Sequence, residues 1–287
     1  MNRLGKWVPV LCLTLLLVGC DFEESGGAER DPGGESVWNH AEIVFYDVGQ
    51  GDSTLLRDGE TTILIDAGRH DDDRILSYLE EDEVGTIDLL VLTHPHADHI
   101  GNADVILDQY DVSEVWMSGE EHTSLTYERI VDAILESDAD YEEPRAGDDT
   151  NVGQFQIEVV GPDQLTGNLN DGSIAMRVEV EGVKMLFTGD AEEDAEEQML
   201  EQPERLQADI FHAGHHGSST SNTAPFLDAV DPEVAIYSAG ADNEYGHPHD
   251  EVVERIHEKG IDLFGTAEHG EVYVIIEDGE WELYTER

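Results

Sequence analysis

The segment 89–99, LLVLTHPHADH, constrains this chain more than any other part of the sequence. The run LLVLT is typical of a strand that is buried on both faces. Pro95 prevents that strand from extending further. Four potential metal ligands follow within six positions, namely His94, His96, Asp98 and His99. Imidazole and carboxylate groups held at the end of a rigid strand predict a binding site for zinc or manganese.

The charge of the chain restricts its setting and its partners. There are 67 Asp and Glu residues against 14 Lys and Arg, which gives a formal net charge of −53, and the acids are spread over the whole chain. Self-repulsion at this charge destabilises a compact fold in dilute buffer. At molar salt the screening length falls to about 3 Å, and the repulsion is largely removed. We therefore expect a halophilic protein without a basic nucleic-acid groove. Binding of an anionic substrate would then require metal ions or concentrated counter-ions.

The first forty residues predict an export signal followed by a tether. Arg3 and Lys6 precede the apolar run 7–18, which is short for a transmembrane helix. The run ends in the sequence LVGC at residues 17–20, which resembles a lipoprotein signal that is cleaved before Cys20. A simple cleaved signal or an uncleaved anchor is the alternative. We expect a signal peptide over 1–19 and a flexible acidic tether over 20–40 that holds the protein at the outer face of the membrane through lipidated Cys20.

Beyond residue 41 the pattern changes to short apolar runs between turn signals. Strands are predicted at 43–46, 53–56, 62–65, 89–93, 115–117, 155–160, 174–180, 184–188, 209–213, 234–238 and 272–276. Helices are predicted at 73–81, 128–136, 190–200, 223–230 and 250–259. Early hairpins followed by alternating strands and helices favour two sheets packed face to face with helices outside. The predicted fold class is α/β, a four-layer αββα sandwich, in a single domain over 41–287.

Seven segments, in their order and spacing, resemble the ComEC-type branch of the metallo-β-lactamase superfamily. They are FYDVGQGDS (45–53), ILIDAG (63–68), LLVLTHPHADHIGN (89–102), NDGSIAMRV (170–178), LFTGD (186–190), AGHHGSSTS (213–221) and NEYGHPH (243–249). The resemblance extends over nearly the whole predicted domain. It implies a metallo-β-lactamase fold and a metal-dependent hydrolase.

The same resemblance implies a role for each ligand. His94 and His96 would hold a first metal ion, and Asp98 and His99 a second. Asp190 would bridge both ions, although capping of the helix that follows it is the alternative.

The last histidine ligand is open among several residues. His247 is favoured because it follows a predicted strand, with His215 as either a ligand or the proton donor. His216 follows the same earlier strand as His215. His249 is interpreted as part of the first turn of the helix that begins near residue 250.

One feature departs from many members of the superfamily. A further histidine for the first metal ion is missing from the segment 170–173, and the ComEC-type branch has the same Asn and Ser pattern there. Asp171 or a water molecule is a candidate substitute. Binding of two metal ions, either zinc or manganese, is therefore a hypothesis. Asp66 is expected to hydrogen-bond the metal-binding loop, while Asp47 and Asp52 would either contact substrate or form turns.

The function implied by the resemblance is hydrolysis of a phosphodiester, with DNA as the leading substrate. Asp98 and Asp190 would act with the metal ions, and His215 would protonate the leaving group. Two alternatives stay open. One is hydrolysis of a lactone, a β-lactam or another small ester on the same fold, and the other is a metal-binding lipoprotein without catalytic activity.

Overall fold

The computed structural model describes residues 29–30, 36–37, 40–59 and 61–287. The predicted signal peptide and most of the predicted tether lie outside these residues. Among the described helices, none combines the length and apolar character that crossing a membrane requires.

The described domain begins with three strands and then combines strands with helices, including a run of five strands between the third and fourth helices. The strands are β1 (Glu29–Arg30), β2 (Ser36–Val37), β3 (Ala41–Phe45), β4 (Thr54–Asp58), β5 (Thr61–Ile65), β6 (Thr86–Ile87), β7 (Leu89–Leu92), β8 (Asp111–Val112), β9 (Glu114–Met117), β10 (Asp140–Glu142), β11 (Asp149–Val152), β12 (Phe155–Gly161), β13 (Ala175–Val180), β14 (Val183–Phe187), β15 (Ile210–His212), β16 (Val234–Tyr237), β17 (Asp262–Gly265), β18 (Val272–Glu277) and β19 (Glu280–Thr285). The helices are α1 (Arg74–Glu81), α2 (Ala103–Gln109), α3 (Leu125–Glu136), α4 (Glu193–Met199), α5 (Ala224–Val230), α6 (Asp250–Glu258) and α7 (Thr266–His269).

Two large sheets form the centre of the described domain. One has eight strands in the order β10-β9-β7-β5-β4-β3-β18-β19, and the other has seven in the order β11-β12-β13-β14-β15-β16-β17. Strands β14 to β17 are parallel to one another, as are β5, β7, β9 and β10. The carboxyl ends of each parallel set therefore lie along one edge of their sheet.

Alternation along the strands produces three apolar layers. On β3, Ile43 belongs to the cluster between the sheets, whereas its neighbour Val44 faces the cluster that includes Ile75 of α1. The second sheet buries Phe211 on its outer face against Phe226 of α5. Successive side chains of a strand point to opposite faces, so both sheets are buried on both sides. The predicted αββα sandwich in a single domain is confirmed.

The loops after four strands meet at one place. The loop after β7 carries His94, the loop after β14 carries Asp190, and the loop after β15 carries His215 and His216. The loop after β16 carries His247. This convergence places residues that are far apart in sequence around one pocket.

Candidate metal centre

The HPHADH loop is held down by backbone contacts with its neighbours. Asp52 N donates to the carbonyl oxygen of Asp98 at 3.1 Å, and Ala67 N donates to that of His99 at 2.6 Å. Glycine residues, which have no Cβ, allow the backbone of the loop to pack this closely against its neighbours. A Cβ on Gly51 would lie 2.5 Å from the Asp98 carbonyl oxygen, and one on Gly101 would lie 2.1 Å from His70 N. These backbone contacts hold the loop in place without help from its side chains.

Asp190 lies between two groups of donor atoms. Its Oδ2 is 3.4 Å from Nε2 of His94, and its Oδ1 is 3.2 Å from Nε2 of His99. His94 Nε2 is also 2.9 Å from Nδ1 of His96. Within each group, the candidate ligand atoms all lie within 4.8 Å of one another. The groups are His94, His96 and Asp190, and Asp52, His99, Asp190 and His216.

Several of these atoms are buried without a hydrogen-bond partner. They include Nε2 of His99, Nε2 of His216 and Oδ1 of Asp190. Leaving a buried polar atom unsatisfied costs about 1–3 kcal/mol, and more for a charged group. Divalent cations would satisfy all three atoms, so the residues fit such ions. Imidazole and carboxylate donors are compatible with zinc, manganese or iron and do not by themselves select one of them.

The buried imidazoles and carboxylates of the site shift one another's pKa values. Burial disfavours a charged imidazole, but Asp190 and Asp66 outweigh it and raise the pKa of His99 well above its ordinary value. Burial also opposes ionisation of Asp190, yet His99, His216 and His94 hold the pKa of that carboxyl well below its usual range. At His96, burial and the neighbouring His94 lower the pKa to about 4, so this imidazole is neutral at pH 7 and its nitrogens can bind a cation.

Asp66 supports the loop as the sequence predicts. Its Oδ2 is 2.7 Å from Nδ1 of His99 and accepts from Oγ1 of Thr93, while its Oδ1 accepts from the Thr93 backbone N at 2.8 Å. A carboxylate on Nδ1 fixes the imidazole so that Nε2 faces the metal site.

Asp190 does not cap the helix that follows it. Helix α4 begins at Glu193 rather than at residue 190, and its N-cap is Glu192. The alternative interpretation of Asp190 as an N-cap is therefore wrong, and its buried carboxylate faces the donor groups instead.

Asp171 lies outside both donor groups. It accepts from Nδ2 of Asn168 at 2.7 Å and from the backbone N of Glu192 at 3.2 Å. These bonds use both of its oxygens to hold the loop 168–171 against the start of α4. The geometry therefore gives Asp171 a structural role, and it does not replace the missing histidine of the first group.

The structure favours a different histidine as the last ligand from the one that the sequence favoured. His216 is buried, with its Nε2 3.6 Å from Oδ2 of Asp98 and 3.8 Å from Oδ1 of Asp190. Its Nδ1 is 3.0 Å from the carbonyl oxygen of Ser238. His247 belongs to neither donor group, and its ring centroid is 5.8 Å from that of His216. The geometry thus favours His216 over His247 as the fourth donor of the second group.

Asp98, His215 and His247 were predicted as ligands, but they belong to neither donor group and line the pocket beside these groups. This pocket has a volume of about 290 Å³ and includes Asp98, His215, His247, Gln50 and Tyr245. His215 Nε2 is 3.5 Å from Oδ2 of Asp190, while its Nδ1 is 3.1 Å from Oγ1 of Thr220. His249 is the N-cap of α6, and its Nδ1 accepts from Ser219 N. This position at the start of the helix is the one that the sequence indicated.

Two further residues of the site have positions that the sequence did not predict. Asp52 is the buried carboxylate of the second donor group, with its oxygens 3.7 Å from Nδ1 of His216 and 3.8 Å from Nδ1 of His99, and it does not line the pocket. His122 comes from the loop before α3, and its ring centroid is 6.1 Å from that of His96. No spacing motif links His122 to the other histidines, so only the fold reveals it.

Two buried sheets flanked by helices, with a carboxylate shared by two clusters of imidazoles and acids at the strand ends, are characteristic of metal-dependent hydrolases. The model of the metallo-beta-lactamase superfamily matches residues 46–241, and the chain belongs to this superfamily. It is 27% identical over 254 residues to ComE operon protein 3 of Bacillus subtilis, covering 82% of this chain and 33% of the relative. It is 29% identical over 279 residues to Recombination protein 2 of Haemophilus influenzae, covering 95% of this chain and 32% of the relative.

The chain thus spans about a third of the length of these curated relatives. Among solved structures, the fold is similar to the metallo-beta-lactamase fold protein YhfI from Bacillus subtilis, with a TM-score of 0.54 at 13% identity. That alignment covers 85% of this chain and 100% of the YhfI chain. At this identity the likeness supports the fold alone.

Proposed function

We propose that this hydrolase cleaves phosphodiester bonds and that nucleic acid is its leading substrate. The observation that carries the proposal is the position of Asp190 between two clusters of metal-binding side chains. When bound, paired divalent cations polarise a phosphoryl oxygen and lower the pKa of water, which is the chemistry that phosphodiester hydrolysis requires.

The chain's own residues prepare the site for this chemistry. His94, His96 and Asp190 would hold one ion, and the second group, His99, His216, Asp190 and Asp52, the other, with Asp98 beside His216. Asp66 keeps His99 in a fixed orientation through its bond to Nδ1. Because His215 is partly exposed to the pocket and anchored at Nδ1 by Thr220, we assign it to a hydrogen bond with the leaving oxygen.

The relatives support a substrate related to DNA. Recombination protein 2 and a further relative, Competence protein ComA of Neisseria gonorrhoeae, which is 29% identical over 231 residues, have names that refer to recombination and to competence. Because this chain spans only about a third of those proteins, passage of DNA through a membrane is not proposed for it. Lactones and β-lactams are the competing substrates, since related sites carry out several hydrolytic reactions.

The experiment is a substrate screen on metal-loaded protein at molar salt. Single-stranded DNA, double-stranded DNA, RNA, a chromogenic phosphodiester and a lactone are each tested with zinc and with manganese. We expect turnover of the phosphodiesters and loss of it in His96→Ala and Asp190→Asn, with circular dichroism confirming that both variants fold. Turnover of the lactone alone would contradict the proposed substrate class. Wild-type rates in either variant would contradict the site, and metal binding without any turnover would favour a non-catalytic protein.

We also propose that the protein acts outside the cytoplasm of a halophile, attached through lipidated Cys20. The support is the LVGC sequence at residues 17–20 and the net charge of −53. Expression in a halophilic host followed by mass spectrometry of the N-terminal peptide tests the attachment. A mature chain that begins with a lipid-modified Cys20 is expected, and an unmodified Cys20 would contradict it.

A further inference from the structure

An exposed aromatic ring lies at the rim of the metal pocket. Tyr245 is 61% exposed, and it lines both this pocket and a neighbouring cleft of about 630 Å³. Its ring stacks on His247, with the ring centroids 5.6 Å apart and the planes at 22°. A stacked pair at a pocket mouth leaves one aromatic face of Tyr245 open to a ligand that enters the pocket.

The loop that carries Tyr245 is held rigidly by one side chain. Asn243 Nδ2 donates to the carbonyl oxygen of Gly240 at 2.8 Å and to that of His247 at 2.6 Å, and Asn243 Oδ1 accepts from His247 N at 2.9 Å. Gly240 N in turn donates to Oε1 of Gln50. Because the loop is clamped at both ends, Tyr245 does not need to be ordered when a ligand binds, which lowers the entropic cost of binding.

The neighbouring cleft is not a positively charged groove. Its arginines are paired with aspartates on the same lining: Arg69 with Asp71, Arg74 with Asp72 and Arg287 with Asp47. Asp242 and Glu244 line it as well, so acids outnumber bases there. A strand of nucleic acid would therefore gain little from phosphate contacts in this cleft, and molar salt would weaken them further.

Stacking of a base on an aromatic ring depends neither on positive charge in the cleft nor on low salt. Aromatic side chains bind unpaired bases of any sequence, with a contribution of about 1–3 kcal/mol per base. The base must be unpaired, because in a duplex both of its faces are already covered.

We propose that Tyr245 is the platform on which an unpaired base next to the cleaved phosphodiester stacks, and that the preferred substrate is a single-stranded nucleic acid. This inference rests on the proposed phosphodiesterase function. It assigns Tyr245 to substrate recognition, and the Asn243 clamp to positioning of Tyr245.

The test combines a change in the protein with a change in the substrate. Single-stranded oligonucleotides with one cleavable phosphodiester are prepared in three forms: with normal flanking bases, with an abasic residue on the 5′ side, and with one on the 3′ side. The wild-type protein should cleave the normal strand roughly 5- to 150-fold more efficiently in kcat/KM than one of the abasic strands. Tyr245→Ala should lose this preference and Tyr245→Phe, which keeps the ring, should retain it. Tyr284→Ala, which removes an exposed tyrosine from β19, is the matched control and should behave as wild type.

Binding measured separately distinguishes the two proposals. In the presence of a chelator, fluorescence anisotropy of a labelled single strand gives its Kd without cleavage. If Tyr245→Ala binds as tightly as wild type and keeps the base preference, the stacking role is overturned while the phosphodiesterase function stands. If the protein cleaves only the small chromogenic phosphodiester, or prefers duplex to single strands, the inference is also overturned. If it cleaves no phosphodiester at all, the proposed function falls with it.

Discussion

Oδ2 of Asp66 lies 2.7 Å from Nδ1 of His99, and both side chains are buried. Asp66 directly follows β5, and the same carboxylate also accepts from Thr93 at the end of β7. It therefore links the end of β7 to the imidazole of His99, six residues further along the chain. Asp66 Oδ2 and His99 Nδ1 make this contact without binding a metal ion themselves. The bond instead fixes which nitrogen of His99 faces Asp190.

Replacement of Asp66 therefore tests how far the site depends on this support. We expect Asp66→Asn to lower metal affinity about 10- to 100-fold, because His99 loses the acceptor that orients it. Competition with a chromophoric chelator measures the change. Asp209→Asn, the same change at a carboxylate that accepts from Lys184 N just before β15, should leave metal affinity unchanged. Equal affinities in wild type and Asp66→Asn would contradict the role.

His216 and His247 make opposite predictions for metal content. Because His216 belongs to the second donor group and His247 does not, His216→Ala should lose bound metal while His247→Ala keeps the wild-type amount. Inductively coupled plasma mass spectrometry after desalting gives the stoichiometry. The reverse pattern would restore the preference that the sequence alone indicated.

Sequence order could not decide between these two histidines. Both follow a buried strand, and both occur in segments rich in Gly and Ser or Pro. The difference arises from the backbone, since His215 and His216 have φ values of 53° and 56°, a conformation that side-chain patterns do not reveal. By contrast, the HPHADH loop could be predicted because a buried strand and four ligands are adjacent in the chain.

Central and edge strands were predictable to different degrees. β7 and β16 are buried along their whole length and appear as apolar runs. β10, with sequence DYE, is exposed throughout, and β11, with sequence DTNV, is mostly polar. Their strand conformation comes from pairing with β9 and β12 rather than from burial, so no local pattern indicates it. Helix α2 was missed although α5, of the same seven residues, was predicted; α5 has a Thr223 cap, whereas Asn102 at the start of α2 makes no side-chain capping bond.

Close backbone packing beneath the metal loop gives a stability prediction. A Cβ on Gly101 would meet three backbone atoms of residues 68–70 at 2.1 to 2.5 Å, and none of these can move independently. Gly101→Ala should therefore lower the free energy of unfolding by about 1–3 kcal/mol or more. Gly85→Ala is the control, because nothing lies within 4 Å of its added Cβ. Urea unfolding in the presence of chelator measures both, and equal midpoints would contradict the packing.

Glu271 predicts a dependence of stability on pH. Burial, together with the negative charges of Asp82, Glu286 and Glu81, raises the pKa of Glu271 to about 7. The folded state thus holds this proton more tightly than the unfolded state. Its stabilising effect is complete below the ordinary Glu pKa and is lost as pH rises through about 7.

Glu271→Gln should accordingly have a higher Tm than wild type at pH 8 and a similar Tm at pH 4. Thermal unfolding at low and molar salt measures the difference, which should shrink as salt screens the neighbouring acids. Glu277→Gln, at the exposed end of β18, the strand that begins directly after Glu271, is the matched control and should show no such gain. A constant difference across this pH range would contradict the assignment.

The central claim is that Asp190 joins two metal ions, and anomalous X-ray scattering tests it most directly. Crystals grown with excess zinc or manganese should give two anomalous peaks, one bounded by His94, His96 and Asp190 and the other by His99, His216 and Asp190. Asp190→Asn should weaken both peaks. An empty pocket in the wild-type protein, or ions bound elsewhere while these side chains keep their positions, would contradict the account.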